Sequence, residues 1–78
     1  MPDFTPAEID DARRNPRAGD RWEKAGSSRE VTRFMTAFPP DIQYTQTVRG
    51  RVYKANYVYL AHWGRWTRNA TLLKRGDA

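Results

Sequence analysis

The stretch that decides the fold reads Ile42-Gln43-Tyr44-Thr45-Gln46-Thr47-Val48-Arg49-Gly50-Arg51-Val52-Tyr53-Lys54-Ala55. Apolar and polar residues alternate over residues 42–48, which predicts a half-buried β-strand. Arg49-Gly50 is a turn signal, and residues 51–55 then resume a strand-like composition. The stretch therefore predicts a β-hairpin with strands at residues 42–48 and 51–55.

Short strands are also expected on either side of this hairpin, at residues 21–24, 29–38 and 70–74. The second of them ends at Pro39-Pro40-Asp41, because proline removes a backbone donor and favours a turn. Residues 58–66 favour a strand by the propensity of their first members but a helix by their apolar spacing of three and four. We expect a short helix or 3₁₀ segment there.

The N-terminal segment carries the signals of a helix start. Thr5 can cap a helix, Pro6 suits its first position, and Glu8 completes a capping box. Asn15-Pro16 ends the pattern, because the residue before proline disfavours helical geometry. The sequence therefore predicts a helix over residues 6–14.

These elements together predict an α+β fold. We expect an N-terminal helix, a small and strongly bent antiparallel sheet or SH3-like barrel of four or five short strands, and a short helix before the last strand. Residues 1–18 are expected to form a helical arm and residues 19–78 one compact β-rich domain. The expected core consists of Trp22, Phe34, Val48, Val52, Leu60, Trp63 and Leu72.

Composition and charge limit the function. The chain has 78 residues, no cysteine, one histidine and a net charge of +5. Residues 1–41 hold seven basic and eight acidic residues, whereas residues 42–78 hold seven basic residues and one acidic residue. The excess positive charge therefore belongs to the second half, which suggests a basic face turned toward an acidic partner.

The residues needed for most catalytic and metal sites are scarce. Without cysteine there is no thiolate zinc site, disulfide framework or cysteine nucleophile, and His62 is expected to be structural or on the surface. No P-loop or dinucleotide-binding turn appears. We therefore expect no enzymatic activity, cofactor or metal site. No segment is apolar enough to span a membrane or to act as a signal peptide, so the cytoplasm is expected.

Two basic segments lie in the acid-poor half. One is the hairpin tip around Arg49-Gly50-Arg51, and the other is Trp63-Gly64-Arg65-Trp66-Thr67-Arg68, where tryptophan and arginine interleave. Arginine and aromatic rings together can bind phosphate and stack bases. Core packing of the tryptophans and an ordinary solvated turn are the alternatives. The candidate partner-binding residues are Arg49, Arg51, Lys54, Arg65, Trp66, Arg68, Lys74 and Arg75.

Gly19-Asp20-Arg21-Trp22 and the block from Trp63 to Leu73 resemble small bacteriophage and prophage proteins. In that group a "GD-x-W" strand opens a compact β-rich domain, and a short helical "W-x-R-x-A" stretch precedes the last strand. The resemblance covers roughly residues 19–75. It implies a non-enzymatic inhibitor or modulator of a machine in a host bacterial cell.

The leading hypothesis is a monomeric binding protein that docks through its basic face on a host nucleoprotein machine, with RNA polymerase as the first candidate. An anti-CRISPR inhibitor of a CRISPR effector is one alternative. A stand-alone nucleic-acid-binding module is another, and a self-associating structural phage component is a third. The expected partner presents an acidic protein surface or nucleic acid.

Overall fold

The computed structural model describes residues 4–77. Along the chain it contains α1 (Pro6–Arg14), β1 (Arg21–Lys24), β2 (Ser27–Met35), β3 (Asp41–Val48), β4 (Arg51–Tyr59), α2 (Leu60–Arg68) and β5 (Thr71–Lys74). The predicted α+β class, the N-terminal helix and the helix before the last strand are confirmed.

The five strands form one antiparallel sheet in the order β4-β3-β2-β1-β5. The first four strands follow one another as a meander, and β5 returns to pair with β1. β4 and β5 form the two edges, and across the described residues the sheet stays open. Of the two forms expected from the sequence, the antiparallel sheet is therefore the correct one, and the closed-barrel alternative does not apply.

Helix α1 has the predicted bounds because its capping residues make the expected contacts. The Thr5 side chain accepts a hydrogen bond from the Glu8 backbone nitrogen at 3.2 Å, and the Glu8 carboxylate accepts one from the Thr5 nitrogen at 2.8 Å. These two bonds form a capping box, which satisfies backbone donors that a helix start leaves without partners. Hydrogen bonding to Thr5 also lowers the pKa of Glu8.

Both two-residue hairpin turns lie at the same end of the sheet, which we call the turn end. Ala25 and Gly26 join β1 to β2, and Arg49 and Gly50 join β3 to β4. All four residues have positive φ angles, between 47° and 83°. Type I′ turns require this geometry because it matches the twist of the flanking strands.

The hairpin is longer than predicted, since β4 continues to Tyr59 and α2 begins only at Leu60. Residues 57–59 pair with the start of β3, so their strand propensity outweighs the helical spacing of the segment. A bulge at Ala55, which has a φ of 61°, interrupts the pairing. The Leu60 nitrogen donates to the Pro40 carbonyl at 3.0 Å, which fixes the start of α2.

Both helices pack on one face of the sheet, the helix face. Neither helix covers the other face, which we call the bare face. The buried core between them consists of Ala12, Trp22, Val31, Ile42, Tyr44, Trp63 and Leu72. The predicted core members Trp22, Trp63 and Leu72 are confirmed. Phe34 and Leu60 are partly buried and pack against this core.

Val52 is the clear error among the expected core residues, because 53% of its surface is exposed. It pairs with Thr47, and Thr47 pairs with Ser28; both partners line a shallow pocket on the bare face. The alternation of β4 therefore turns Val52 away from the helices. Val48 has the helix-face parity but is only half-buried.

Neither helix in residues 4–77 combines the length and apolar character needed to cross a bilayer.

Candidate anion-binding surface

The turn end of the sheet brings basic residues of separate strands into one row. Lys24 pairs with Ser27, Ser27 with Val48, and Val48 with Arg51. Directly paired residues of antiparallel strands point to the same face. Lys24 contacts a ring of α2, so this row lies on the helix face. Lys24 and Arg51 therefore share a face and an end of the sheet.

The next row inward contains an arginine among aromatic rings. The Arg29 guanidinium carbon lies 4.6 Å from the Tyr44 ring centroid and 4.3 Å from that of Trp66. Trp63 stacks against Trp66 at 6.0 Å and 27°, and its centroid is 6.0 Å from the same guanidinium carbon. We call Arg29 and these three rings the arginine cage. Cations are attracted to aromatic faces, and the attraction strengthens when water is excluded.

No carboxylate neutralises Arg29 among the residues that the structure describes, and its Nε atom is buried there without a hydrogen-bond partner. Burial lowers the pKa of Arg29, because desolvation disfavours the charged form. Arginine nevertheless stays protonated in proteins at neutral pH. The cage thus holds a positive charge whose N–H donors lack an acidic partner.

Three further side chains, those of Lys24, Arg51 and Tyr53, extend the cage into a surface. The Lys24 Nζ atom lies 5.7 Å from the Trp66 ring centroid. Tyr53 belongs to the Arg29 row, because Arg29 pairs with Gln46 and Gln46 pairs with Tyr53. It lies on the edge strand β4, and 46% of its surface is exposed. We call the set Lys24, Arg29, Arg51, Tyr53 and Trp66 the turn-end surface.

The structure thus brings two predicted site residues, Arg51 and Trp66, onto this surface. Trp66 is half-buried under the cations rather than standing free. Arg49 is exposed in the adjoining turn, and Lys54 is exposed beside the bulge of β4. Lys74 is exposed on β5 at the opposite edge, in register with Arg21.

Arg65 and Arg68 lie elsewhere, in a groove of about 430 Å³ between the two helices. Arg13 and Arg14 of α1 line the same groove, together with Asp10, which pairs with Arg14 at 3.2 Å. The Arg13 guanidinium also donates to the Thr67 carbonyl at 3.2 Å. The groove is a second basic area, and half of its arginines come from the acid-led first part of the sequence.

Arg75, also a predicted site residue, is engaged inside the fold. Its guanidinium pairs with Asp20 and with Asp11, the latter at 2.7 Å, and donates to the Asn15 carbonyl at 2.9 Å. Its side chain is only 14% exposed. These contacts occupy both terminal nitrogens, so Arg75 connects α1 to the residues just before β1 and just after β5 rather than presenting a free charge.

Asp20 is the centre of that connection and is completely buried. Besides pairing with Arg75, its carboxylate accepts hydrogen bonds from the Gly76 nitrogen at 2.7 Å and the Arg17 nitrogen at 2.9 Å. We call Asp11, Asp20, Arg75 and Gly76 the aspartate clasp. Gly76 is itself buried in this clasp.

Sequence reasoning missed Lys24, Arg29 and Tyr53. An irregularity in β2 explains why Arg29 was not assigned to the helix face. Strict alternation along β2 groups Val31 with Arg33 and makes both faces appear mixed. The register shifts between Val31 and Arg33, so Phe34 takes the helix face instead. A usable signal was present nonetheless: Arg29 stands two residues before Val31 and shares its face.

The single histidine lies away from these surfaces. His62 is exposed, and it lines a shallow pocket with Asp41, Tyr57, Val58 and Tyr59. Within residues 4–77 no group of three histidine or acidic side chains is arranged to hold a metal ion.

Comparison with known proteins returns no matching family model, and neither the curated proteins nor the solved structures give a match to this chain. The resemblance of residues 19–75 to small phage proteins accordingly stays a prediction.

Proposed function

We propose that this chain is a non-enzymatic, monomeric binding protein that docks through its basic surface on a nucleoprotein machine of a bacterial host and modulates or inhibits it. RNA polymerase is the leading candidate for that machine, and a CRISPR effector is the alternative. The observation that carries the proposal is the turn-end surface. It collects Lys24, Arg29 and Arg51 around Trp66, and no carboxylate pairs with these cations in the described structure.

The chemistry of this surface suits a macromolecular partner. Arginine and tryptophan are the residues that most often carry binding energy at protein interfaces. Basic patches also steer association with acidic partners. Exposed Arg49 and Lys54 extend the positive area at the hairpin. An acidic protein surface or a nucleic acid within a larger assembly would complement it.

The identity of the machine can be tested by capture from bacterial lysate. The tagged protein is incubated with lysate, with and without nuclease, and the bound proteins are identified by mass spectrometry. We expect specific recovery of subunits of one nucleoprotein machine. If no specific protein is recovered in either condition, the proposal is wrong. Recovery of CRISPR effector subunits would select the alternative.

Charge reversal tests whether the turn end is the docking surface. We expect Arg49→Glu with Arg51→Glu to reduce recovery strongly while the thermal melt changes little, because both residues are exposed. Arg65→Glu with Arg68→Glu tests the helix groove in the same way. The matched control is Arg21→Glu with Arg33→Glu, which changes the net charge equally on the bare face. Equal recovery by both test pairs and the control would remove the basic surfaces from the proposal.

A further inference from the structure

The arginine cage restrains a cationic side chain, as a preorganised binding site does. The Arg29 guanidinium carbon lies 4.6 Å from the Tyr44 ring centroid and 4.3 Å from that of Trp66. The N–H donors of a guanidinium lie in its plane and point outward from its edge. A guanidinium edge matches the paired oxygens of a phosphate. Because the cage already restrains this side chain, little conformational entropy is lost when an anion binds. Arg29 is thus preorganised for an oxyanion that no described residue supplies.

The spacing of the cations favours a chain of phosphates over a single one. Lys24 and Arg51 are separated by three steps between neighbouring strands. At about 4.8 Å for each step, the backbones of these two residues lie roughly 14 Å apart. Arg29 lies between them, one row inward. Successive phosphates of a polymer match this spacing, whereas one free phosphate would require both long side chains to bend toward a single point.

The exposed ring beside these cations indicates which polymer. Tyr53 shares the Arg29 row on the edge strand β4, and 46% of its surface is exposed. An acidic peptide would neutralise the cations, but only the occasional aromatic side chain in it could stack on this ring. Every nucleobase has a face that stacks on an aromatic side chain. Bases are available for such stacking in single strands, whereas a duplex keeps them paired and stacked on one another.

We propose that the turn-end surface binds single-stranded nucleic acid, with Arg29, Lys24 and Arg51 on backbone phosphates and Tyr53 stacked on a base. This proposal rests on the proposed function and names one component of the nucleoprotein partner.

The test measures fluorescence anisotropy of labelled mixed-sequence oligonucleotides of 12 nucleotides, as single-stranded DNA, single-stranded RNA and a DNA duplex. We expect a single strand to bind more tightly than the duplex. Its affinity should fall with salt at a logarithmic slope of about −2, because three phosphate contacts contribute roughly −0.7 each. Polyglutamate serves as the competitor that carries charge without bases.

Variants assign the binding to individual residues. We expect Tyr53→Ala to weaken single-strand binding about 10-fold, within the range for loss of one stacked base. Tyr57→Ala is the matched control, because Tyr57 is also exposed on β4 but faces the bare side. Arg29→Met should weaken binding at least as much. If Arg29→Met lowers the melting temperature, Lys24→Gln is used in its place. Lys24→Gln should make the salt slope shallower by roughly 0.7, the contribution of one phosphate contact.

Each outcome supports or overturns the proposal. Absence of single-strand binding overturns it, as does an equal loss in Tyr53→Ala and Tyr57→Ala. Displacement by polyglutamate at equal charge assigns the surface to acidic protein and overturns it too. The two proposals can fail independently. If lysate capture recovers a machine equally with and without nuclease while no oligonucleotide binds, the proposed function stands and only the nucleic-acid site is wrong.

Discussion

Two enclosed arginines of this protein have opposite surroundings. Arg75 pairs with Asp20 and Asp11 in the aspartate clasp, and it also donates to the Asn15 carbonyl. Arg29 has aromatic rings around it and no carboxylate among the described residues. The first arrangement satisfies a charge inside the fold, and the second leaves it available. Burial of an arginine therefore does not separate a structural role from a binding role, but the identity of its neighbours does.

The contrast between Arg75 and Arg29 predicts that the largest loss of stability follows substitution of Asp20. Substitution Asp20→Ala removes the acceptor of three hydrogen-bond donors and leaves Arg75 without its buried partner. Breaking a buried ion pair by removing one member costs about 3–5 kcal/mol. A domain of this size is marginally stable, so we expect the variant to be largely unfolded at 37 °C. Urea and thermal melts followed by circular dichroism measure the loss.

Asp10→Ala is the control for that experiment. Asp10 forms an exposed pair with Arg14 one helical turn away, and such pairs contribute only about 0.3–0.5 kcal/mol. If Asp20→Ala changed stability as little as Asp10→Ala, the clasp would not be a structural element. The contrast between Arg75 and Arg29 would then disappear.

A smaller effect is expected at Gly76, which tests how closely the clasp is packed. A Cβ atom at residue 76 would overlap the Ala18 carbonyl, so Gly76→Ala requires the backbone to shift. Such overpacking typically costs about 1–3 kcal/mol. At Gly64, inside α2, the same substitution meets no atom within 4 Å in the described structure. It should stabilise the protein by about 0.5–1 kcal/mol, because alanine favours helix. Opposite shifts of the melting temperature would confirm both expectations, and a loss at both positions would contradict them.

The smallest effect on stability is expected at Arg29. Arg29→Met gives up a cation–aromatic attraction of about 0.5–2 kcal/mol, but it also removes a charge whose burial is unfavourable. We expect the two terms to offset each other, leaving unfolding within about 1 kcal/mol of the parent protein. Arg75→Met, in contrast, should approach the loss seen for Asp20→Ala. Urea melts of the two variants side by side make this measurement, and equal losses would mean that Arg29 is as structural as Arg75.

Local sequence signals predicted the local structure well. The capping box at Thr5 and Glu8 gave the bounds of α1, and the alternation of residues 42–48 gave β3 to within one residue. Arg49-Gly50 marked the turn, since those two positions need positive φ angles. Each of these features depends on residues that are close together in the chain.

Features that depend on distant residues escaped prediction. The bulge at Ala55 changes which side chains of β4 face the helices, and no residue near it announces the change. The partners of Arg75 stand 55 and 64 positions away, so an acid-poor segment did not imply an unpaired arginine. The turn-end surface was foreseen only at Arg51 and Trp66, because Lys24, Arg29 and Tyr53 join them only through pairing between strands that are distant in the chain.

The same bulge affects how β4 behaves as an edge of the sheet. An edge strand exposes backbone groups on which another strand can pair, and this is a common route to aggregation. Ala55 divides β4 into two short stretches, and Lys54 places an exposed charge at the division. Bulges and edge lysines are two devices that discourage such pairing. The fold can therefore display several tyrosines along this strand without offering neighbouring molecules a long, flat template.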